Sequence, residues 1–524
     1  MKGIALTLCF SLFVVLLFGQ SKEREYKQKL TERASEYYKD YNFVKAIEVY
    51  KELDKLGSTT APRKIGDCYR QMNDLVNAEV YYERAVQQDN INADYYFYYA
   101  QALMSNKKYA EAKRWFETFK ANEKNSTKAD VMIIACEEAI NRVEKHSPFQ
   151  LINLDINSTA QDFAPYFYDK GILFTSSRIE SFIRKKDAWT NTGYLDVYYS
   201  PLNWRDTIPG VSRIKGSVNT FNFHDGPACV NKEEDKIYFT RNNVVSGSAT
   251  KSRSGDIKLK IFSAEKSGEG FKDIHELEFN GDEYSSAHPS VNFNEQIMYF
   301  TSDRAGGYGG TDIYYSTYNT NKSRWNRAVN AGPVINTEGN ERFPFIHDSG
   351  SLYFASDGHL GFGGLDIFEA VPHDSLPFTF TEIQNLGTPF NTSRDDFSYI
   401  VDQNKITGYF ASNRDGGKGN DDIYMFTSAT ITIDVNVATN DTANAYTWIT
   451  IYDIDKKITL DRNYTDLNGN FYSRLEPNSD YMIVIKKNGY LTIKHPLKTS
   501  LSESPIVLSF DMVKEQEGQP LENE

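Results

Sequence analysis

The chain is poor in cysteine, in net positive charge and in long apolar runs. Only four cysteines occur in 524 residues. Cys9 sits in an apolar leader, and Cys68, Cys136 and Cys229 are an odd number spread over two prospective domains. That pattern excludes a disulfide framework and lacks metal-type spacing, which leaves packing as the role of the thiols. Lys and Arg number 58 against 71 Asp and Glu, a net charge of −13, and no basic stretch compensates. Phosphate-backbone binding is therefore set aside, and no nucleic-acid partner is expected. No His-Glu-x-x-His pattern occurs, nor any convergent set of nucleophile, base and orienter. No catalytic, cofactor-binding or metal residues are assigned, and no cofactor is expected.

The one long apolar run is Ile4 to Phe18, behind Met1-Lys2 and ahead of Gly19-Gln20-Ser21. About 15 apolar residues fall short of the roughly 20 that span a bilayer, and Cys9 lies inside the run rather than at its end, where a lipid anchor would need it. The segment reads as an export signal, residues 1–20, cleaved near Ser21. No transmembrane span is expected after cleavage.

What the chain has in quantity is aromatic surface: 35 Tyr and 33 Phe against 8 Met. Such residues suit pleated, half-buried surfaces, so a large β component is expected. Residues 21–147 are different. Ala34, Tyr37, Phe43, Ala46 and Tyr50 recur as Gly66, Tyr69, Leu75, Ala78 and Tyr82, and again as Ala100, Leu103, Tyr109, Ala112 and Phe116, at offsets of 32 and 34 residues. Small residues where two helices touch and aromatics where hairpins stack resemble the tetratricopeptide repeat. Turns are placed at Asp40-Tyr41-Asn42, Met72-Asn73-Asp74 and Ser105-Asn106-Lys107. Ala129 to Lys145 reads as a capping helix. The groove lined by the first helix of each hairpin is the expected contact for a peptide or partner.

A second repeat fills residues 148–428. Phe174, Phe239, Phe300, Phe354 and Phe410 mark five copies, in steps of 65, 61, 54 and 56 residues. Each copy has a Pro- or Phe-marked strand before the anchor; the later copies add a Gly-rich turn ending in Asp-Ile-Tyr or Asp-Ile-Phe. Room for four strands per copy implies a β-propeller, and the motifs resemble the Tol-B-like, WD-type repeat. Outer strands are placed near Trp204 to Val211, Phe271 to Phe279, Asn326 to Ile335 and Phe380 to Leu386. Phe149 to Leu154 would complete the last copy and close the ring, giving five blades, with six as the alternative. The pairs Asp303 and Asp312, Asp357 and Asp366, and Asp415 and Asp421 suit tight turns, with Ca²⁺ ligation as the competing reading. His224, His288 and His347 lie near the marked strands of the second, third and fourth copies, where imidazoles could meet at the axis.

Residues 429–513 read as a meander of short strands forming a two-sheet sandwich. Thr465-Asp466 with Asn468-Gly469 and Phe471, then Leu475, Pro477 and Tyr481, then Lys487 with Gly489-Tyr490, resemble the carboxypeptidase-regulatory-like domain. Residues 514–524 are an acidic tail. The full order, tetratricopeptide helical repeats, propeller and small β-sandwich, resembles the PorE-like envelope proteins of bacteria with type IX secretion. That family continues into an OmpA-like domain that grips peptidoglycan, and this sequence stops before one. The resemblance implies a non-enzymatic periplasmic scaffold, free or peripheral to the outer membrane, that holds envelope proteins through the groove and the propeller face. Binding of glycan or peptidoglycan fragments, and a hydrolase or lyase site in the propeller channel, are the competing readings.

Overall fold

The computed structural model describes the chain except for residues 1, 124–126, 142–146, 148, 180–185, 202–209, 246, 293, 374–375, 377, 429–430, 440–445, 478, 501–504 and 516–524, and excepting the side chains of 2–20, 245 and 439. The leader's side chains, the close of the capping helix, most of the strand placed at Trp204 to Val211 and most of the acidic tail thus lie outside the described residues. Two compact units form: Met1–Val143 with Asn153–Met425, and Glu144–Ile152 with Phe426–Glu524.

Seven helices open the first unit: α1 (Lys2–Lys39), α2 (Phe43–Lys55), α3 (Ala61–Gln71), α4 (Leu75–Ala85), α5 (Asp94–Ser105), α6 (Tyr109–Asn122) and α7 (Thr127–Asn141). Each packs on the next. Ala34, Ala46, Ala78, Ala100 and Ala112 are completely buried, as are Tyr82 and Phe116. Gly66 is small for a steric reason: a Cβ there would stand 2.7 Å from the Tyr82 ring. No helix among the described residues is long and apolar enough to cross a membrane.

Strands follow, in curled, mainly antiparallel sheets arranged as a propeller; the two-residue strand Lys215–Gly216 pairs in parallel with Gly270–Glu276. Among the described residues five such sheets have innermost strands Asp162–Tyr168, Asp225–Val230, Ser286–Val291, Glu341–Ile346 and Asp396–Val401. Each of these strands neighbours the next and the last neighbours the first. All five carry a bulge near their start, with a left-handed backbone at Ala164, Gly226, His288, Phe343 and Ser398. The extra residue bends the strand where it enters the crowded axis. The five anchor phenylalanines are the buried centres of the second strands. Each stacks on an aromatic of the third strand: Tyr198, Phe262, Tyr314, Phe368 and Tyr424. The outer place of the fifth sheet goes to Phe149–Asn153, beside Asp422–Ser428. Leu154 N–H donates to the Ile423 carbonyl at 3.1 Å, and the Asn153 amide donates to Asp422 at 2.8 Å.

Two side-chain devices repeat around the ring. Asn157, Asn219, Asn280, Asn336 and Asn391 each accept the N–H and donate to the C=O of one third-strand residue, at Ile423, Val197, Ile261, Ile313 and Ile367. A buried amide thereby satisfies backbone groups that have left the ladder. The second device is a buried ion pair: Arg178 with Asp162, Arg241 with Asp225 and Arg414 with Asp396. Each guanidinium lies about 5 Å from the centre of its sheet's anchor phenylalanine, a cation–π distance. Beside the carboxylates, Ser158, Thr220 and Thr392 donate both N–H and hydroxyl.

The second unit has two sheets. One orders Asn470–Leu475, Ile431–Thr439 and Ile506–Met512; the other orders Ile458–Tyr464, Trp448–Asp453, Asp480–Lys486 and Ile493–Lys498. The expected meander is corrected here, because Ile431–Thr439 pairs in parallel with the last strand, Ile506–Met512. Its inward residues Ile433, Val435 and Val437 need cover on both sides, and the late alternating strand supplies it.

Candidate interaction site

Each first helix of a repeat ends in the same way. Asn42 N–H reaches the Tyr37 carbonyl and Tyr41 N–H the Tyr38 carbonyl; Asp74 and Asn73 do the same to Tyr69 and Arg70, and Lys108 and Lys107 to Leu103 and Met104. These are Schellman closures, which place one residue in the left-handed region: Tyr41, Asn73 and Lys107. Those three residues all touch the propeller. Tyr41 stacks on Trp189, with ring centres 5.4 Å apart, and donates to Asp256 at 2.7 Å. Asn73 donates to Asp395, and Lys107 faces Asp415 at 3.4 Å. Trp189 also donates to the Gln71 carbonyl, Ser393 to the Ser105 carbonyl, and Thr127 to Glu338.

The propeller residues in these contacts lie at the end where the innermost strands start: Glu338, Ser393 and Asp395 just before such a strand, and Trp189, Asp256 and Asp415 in loops between second and third strands. The axis below is filled: Phe343 packs against Phe163 and Phe397, and the His288 ring stacks on Phe343 at 3.9 Å. A void of only about 30 Å³ remains among the bulged strands. At the opposite mouth, where the strands end, a cleft of about 330 Å³ opens among Tyr166, Asn231, Asn292, His347 and Asp402.

The first-helix face carries a second arrangement. Asp67, buried on α3, accepts from Tyr82 at 3.1 Å and from Tyr95 at 3.0 Å, and Lys64 stands 3.4 Å away. Arg70 lies 4.0 Å over the Tyr98 ring. Arg63 is half-buried beside them, and its Nε has no hydrogen-bond partner among the described residues. Burial, then the Asp67 charge, pushes the Tyr38 hydroxyl up to about 12. The cluster sets three basic side chains, Arg63, Lys64 and Arg70, beside tyrosines whose hydroxyls serve Asp67, and that excess of positive charge suits a carboxylate.

The three histidines do not meet. His224 sits 3.5 Å from Asp187 and accepts from the Leu195 N–H. His288 is in the axial plug, held neutral down to about 3 by burial and then by the Arg342 charge. His347 joins Ser349 and the Asp402 carbonyl at the far mouth. The acidic pairs of the Gly-rich turns also diverge. Asp312 accepts from Tyr308 and Gly309 N–H, and Asp366 from Phe362 and Gly363 N–H. Asp303 turns to Lys258, Asp357 to Asn340 and Asp415 to Arg394. No group of three possible metal ligands gathers among the described residues. The docking role of Tyr41, Asn73 and Lys107 has no residue-type signature; their shared place at the repeat turn is the one signal the sequence offers.

A tetratricopeptide repeat family model matches residues 69–129. The helical part of this chain is a tetratricopeptide array. No curated protein matches the chain in sequence. Among solved structures, the first tetratricopeptide domain of Spaghetti (RPAP3) bound to an HSP90 peptide is 20% identical over 22% of this chain and 94% of that one, at a TM-score of 0.20. An α-L-arabinofuranosidase from Lactobacillus brevis is 13% identical over 51% and 90%, at 0.33. The soluble aldose sugar dehydrogenase of Escherichia coli is 7% identical over 53% and 99%, at 0.31. At these identities and scores none of the three speaks to activity.

Proposed function

We propose that the protein is a non-enzymatic scaffold of a bacterial cell envelope, acting in the periplasm and bridging partner proteins in an assembly linked to type IX secretion. The observation that carries this reading is the seating of all three repeat turns on one end of the propeller. It holds the array on the ring and leaves two binding surfaces: the cation-and-tyrosine cluster on the first helices, and the mouth at the other end. A short groove of this kind suits an extended or helical peptide segment. The broad mouth suits a folded partner. The order of repeats, propeller and sandwich, with its resemblance to PorE-like proteins, supports the envelope setting, and the plugged axis favours binding over channel chemistry.

The test is co-purification from envelope membranes. Arg63→Gln with Lys64→Gln should release a bound envelope protein, with circular dichroism checking that the array is still folded once the cation beside Asp67 is gone. His224→Ala with His347→Ala should leave the complex intact; His288 stays in place because its ring is part of the plug. If the histidine pair loses function and the groove pair does not, the scaffold reading fails and a site at the far mouth takes its place.

A further inference from the structure

The third sheet keeps the arginine of the buried ion pair but not its acid. Where three sheets place Asp162, Asp225 and Asp396 against an arginine, it has Ser286, and where they place Ser158, Thr220 and Thr392 it has Gly281. The arginine itself is kept. Arg304 lies over the Phe300 ring and donates to Ser302 at 3.0 Å, but only serine hydroxyls and the Phe279 carbonyl receive it, and it makes no ion pair among the described residues. Charge, acid and hydroxyl have not been lost together: acid and hydroxyl have gone, and the guanidinium remains in a partly desolvated place.

Arg304 lines a cleft of about 500 Å³ with Arg324, Arg327, Tyr284, Trp325 and one acid, Glu278. Arg324 and Arg327 are exposed and make no ion pair among the described residues. Glu278 accepts from the Trp325 N–H at 3.3 Å. Asp303, next to Arg304 in sequence, is engaged by Lys258 and by the Ser285 N–H. Tyr284 covers one face of the Arg304 guanidinium at 4.5 Å and Tyr314 lies 4.7 Å from it. Stacked rings leave the edge of a guanidinium for hydrogen bonding; Nε and Nη2 of Arg304 are taken by Ser302, Ser286 and the Phe279 carbonyl, and Nη1 makes no hydrogen bond among the described residues and is the nitrogen open to a carboxylate. Three guanidiniums around one carboxylate also make a local positive site on a chain whose net charge is −13.

We propose that this cleft binds the carboxylate of an external ligand, which supplies Arg304 with the counter-charge that its counterparts take from an internal aspartate, through Nη1, and is held at the rim by Arg324 and Arg327. The probes are glutarate, a galacturonic acid trisaccharide, a peptide ending in consecutive glutamates, and inorganic phosphate, each titrated calorimetrically into the whole chain at low salt. Saturable binding of the carboxylates, with phosphate at least tenfold weaker, is expected. The stronger of trisaccharide and peptide identifies the source of the carboxylate. Arg324→Gln with Arg327→Gln, both on the surface, should weaken binding at least tenfold without moving the Tm. Ser286→Asp supplies the missing internal acid, so it should raise the Tm of the free protein and weaken binding by a similar factor. Equal binding of phosphate, no saturable carboxylate binding, or affinity unchanged in the Arg324 and Arg327 variant would overturn the proposal, and that surface variant decides if Ser286→Asp does not fold.

Discussion

Glu341 shows how one residue changes the electrostatics of a repeated unit. In the fourth sheet the acid is kept, with Thr337 and Ser356 donating to it, but Gly358 stands where the first, third and fifth sheets have the arginine, and the next residue, His359, meets Phe354 edge-on, lies tilted against Phe368 and bonds the Ile335 carbonyl. Burial pushes the Glu341 carboxyl up to about 7, and burial holds His359 below the usual imidazole range. Glu341 thus keeps its proton at pH values where an exposed glutamate is ionised. Because the folded chain holds the Glu341 proton more tightly than the unfolded one, the stability from this group is complete below the ordinary glutamate value of ~4.3 and is lost as the pH rises through about 7. Glu341→Gln keeps the shape without the titration. Melting curves from pH 4 to 8 should therefore show the variant losing less stability than the native chain, by on the order of 3 kcal/mol. Asp421, also raised to about 7 by burial and then by Asp395, keeps some slope in both. Parallel curves would sink this assignment.

At the scale of elements, the ring is closed by a strand from its own beginning. Deleting residues 149–157 removes that strand and Asn157, whose amide pairs with both backbone groups of Ile423. The Asp422–Ser428 strand is then left with an open edge, so the shortened chain should melt at least 5 °C lower and aggregate on heating; an unchanged Tm would show that closure adds nothing. This strand was legible in the sequence because its apolar alternation matches that of Phe380–Asn385. The five anchors were legible because a buried phenylalanine must recur at each second strand. Strands of two residues, such as Ser212–Arg213 and Val329–Asn330, are too short to show a period. Ile458–Tyr464 was missed because it is mostly exposed, and the parallel pairing of Ile506–Met512 is set by a partner some 70 residues away. The five asparagines were there to be read at near-constant spacing, but an amide that serves the backbone looks like any loop polar residue.

For the first unit as a whole, the prediction concerns the seat of the helical array. Trp189 stacks on Tyr41, meets Phe43 edge-on and donates to Gln71, so one side chain serves two repeats. Trp189→Ala with Asn73→Ala should raise amide exchange at the repeat turns and expose the 186–195 loop to proteolysis, while the propeller keeps its protection. Identical exchange in both forms would mean the seat is not held by these contacts. This seat could not be read from the sequence, because Tyr41, Asn73 and Lys107 share only a backbone conformation, and their partners lie up to 322 residues away.

Ring closure also sets an order of events during folding. Asn153 stands at the start of the ring and its partner Asp422 comes 269 residues later, so the propeller cannot be completed until nearly the whole ring is available to pair. The helical array is finished within the first 141 residues and consists of contacts between neighbouring helices, which form quickly, whereas the ring depends on distant pairings that form slowly. During that interval the array is a finished platform with its turn residues exposed, awaiting the loops of the first, second, fourth and fifth sheets. A chain arrested before Asp422 should therefore present a folded, protease-resistant helical domain carrying incomplete sheets, and it is at this stage, rather than after completion, that it has most need of a chaperone.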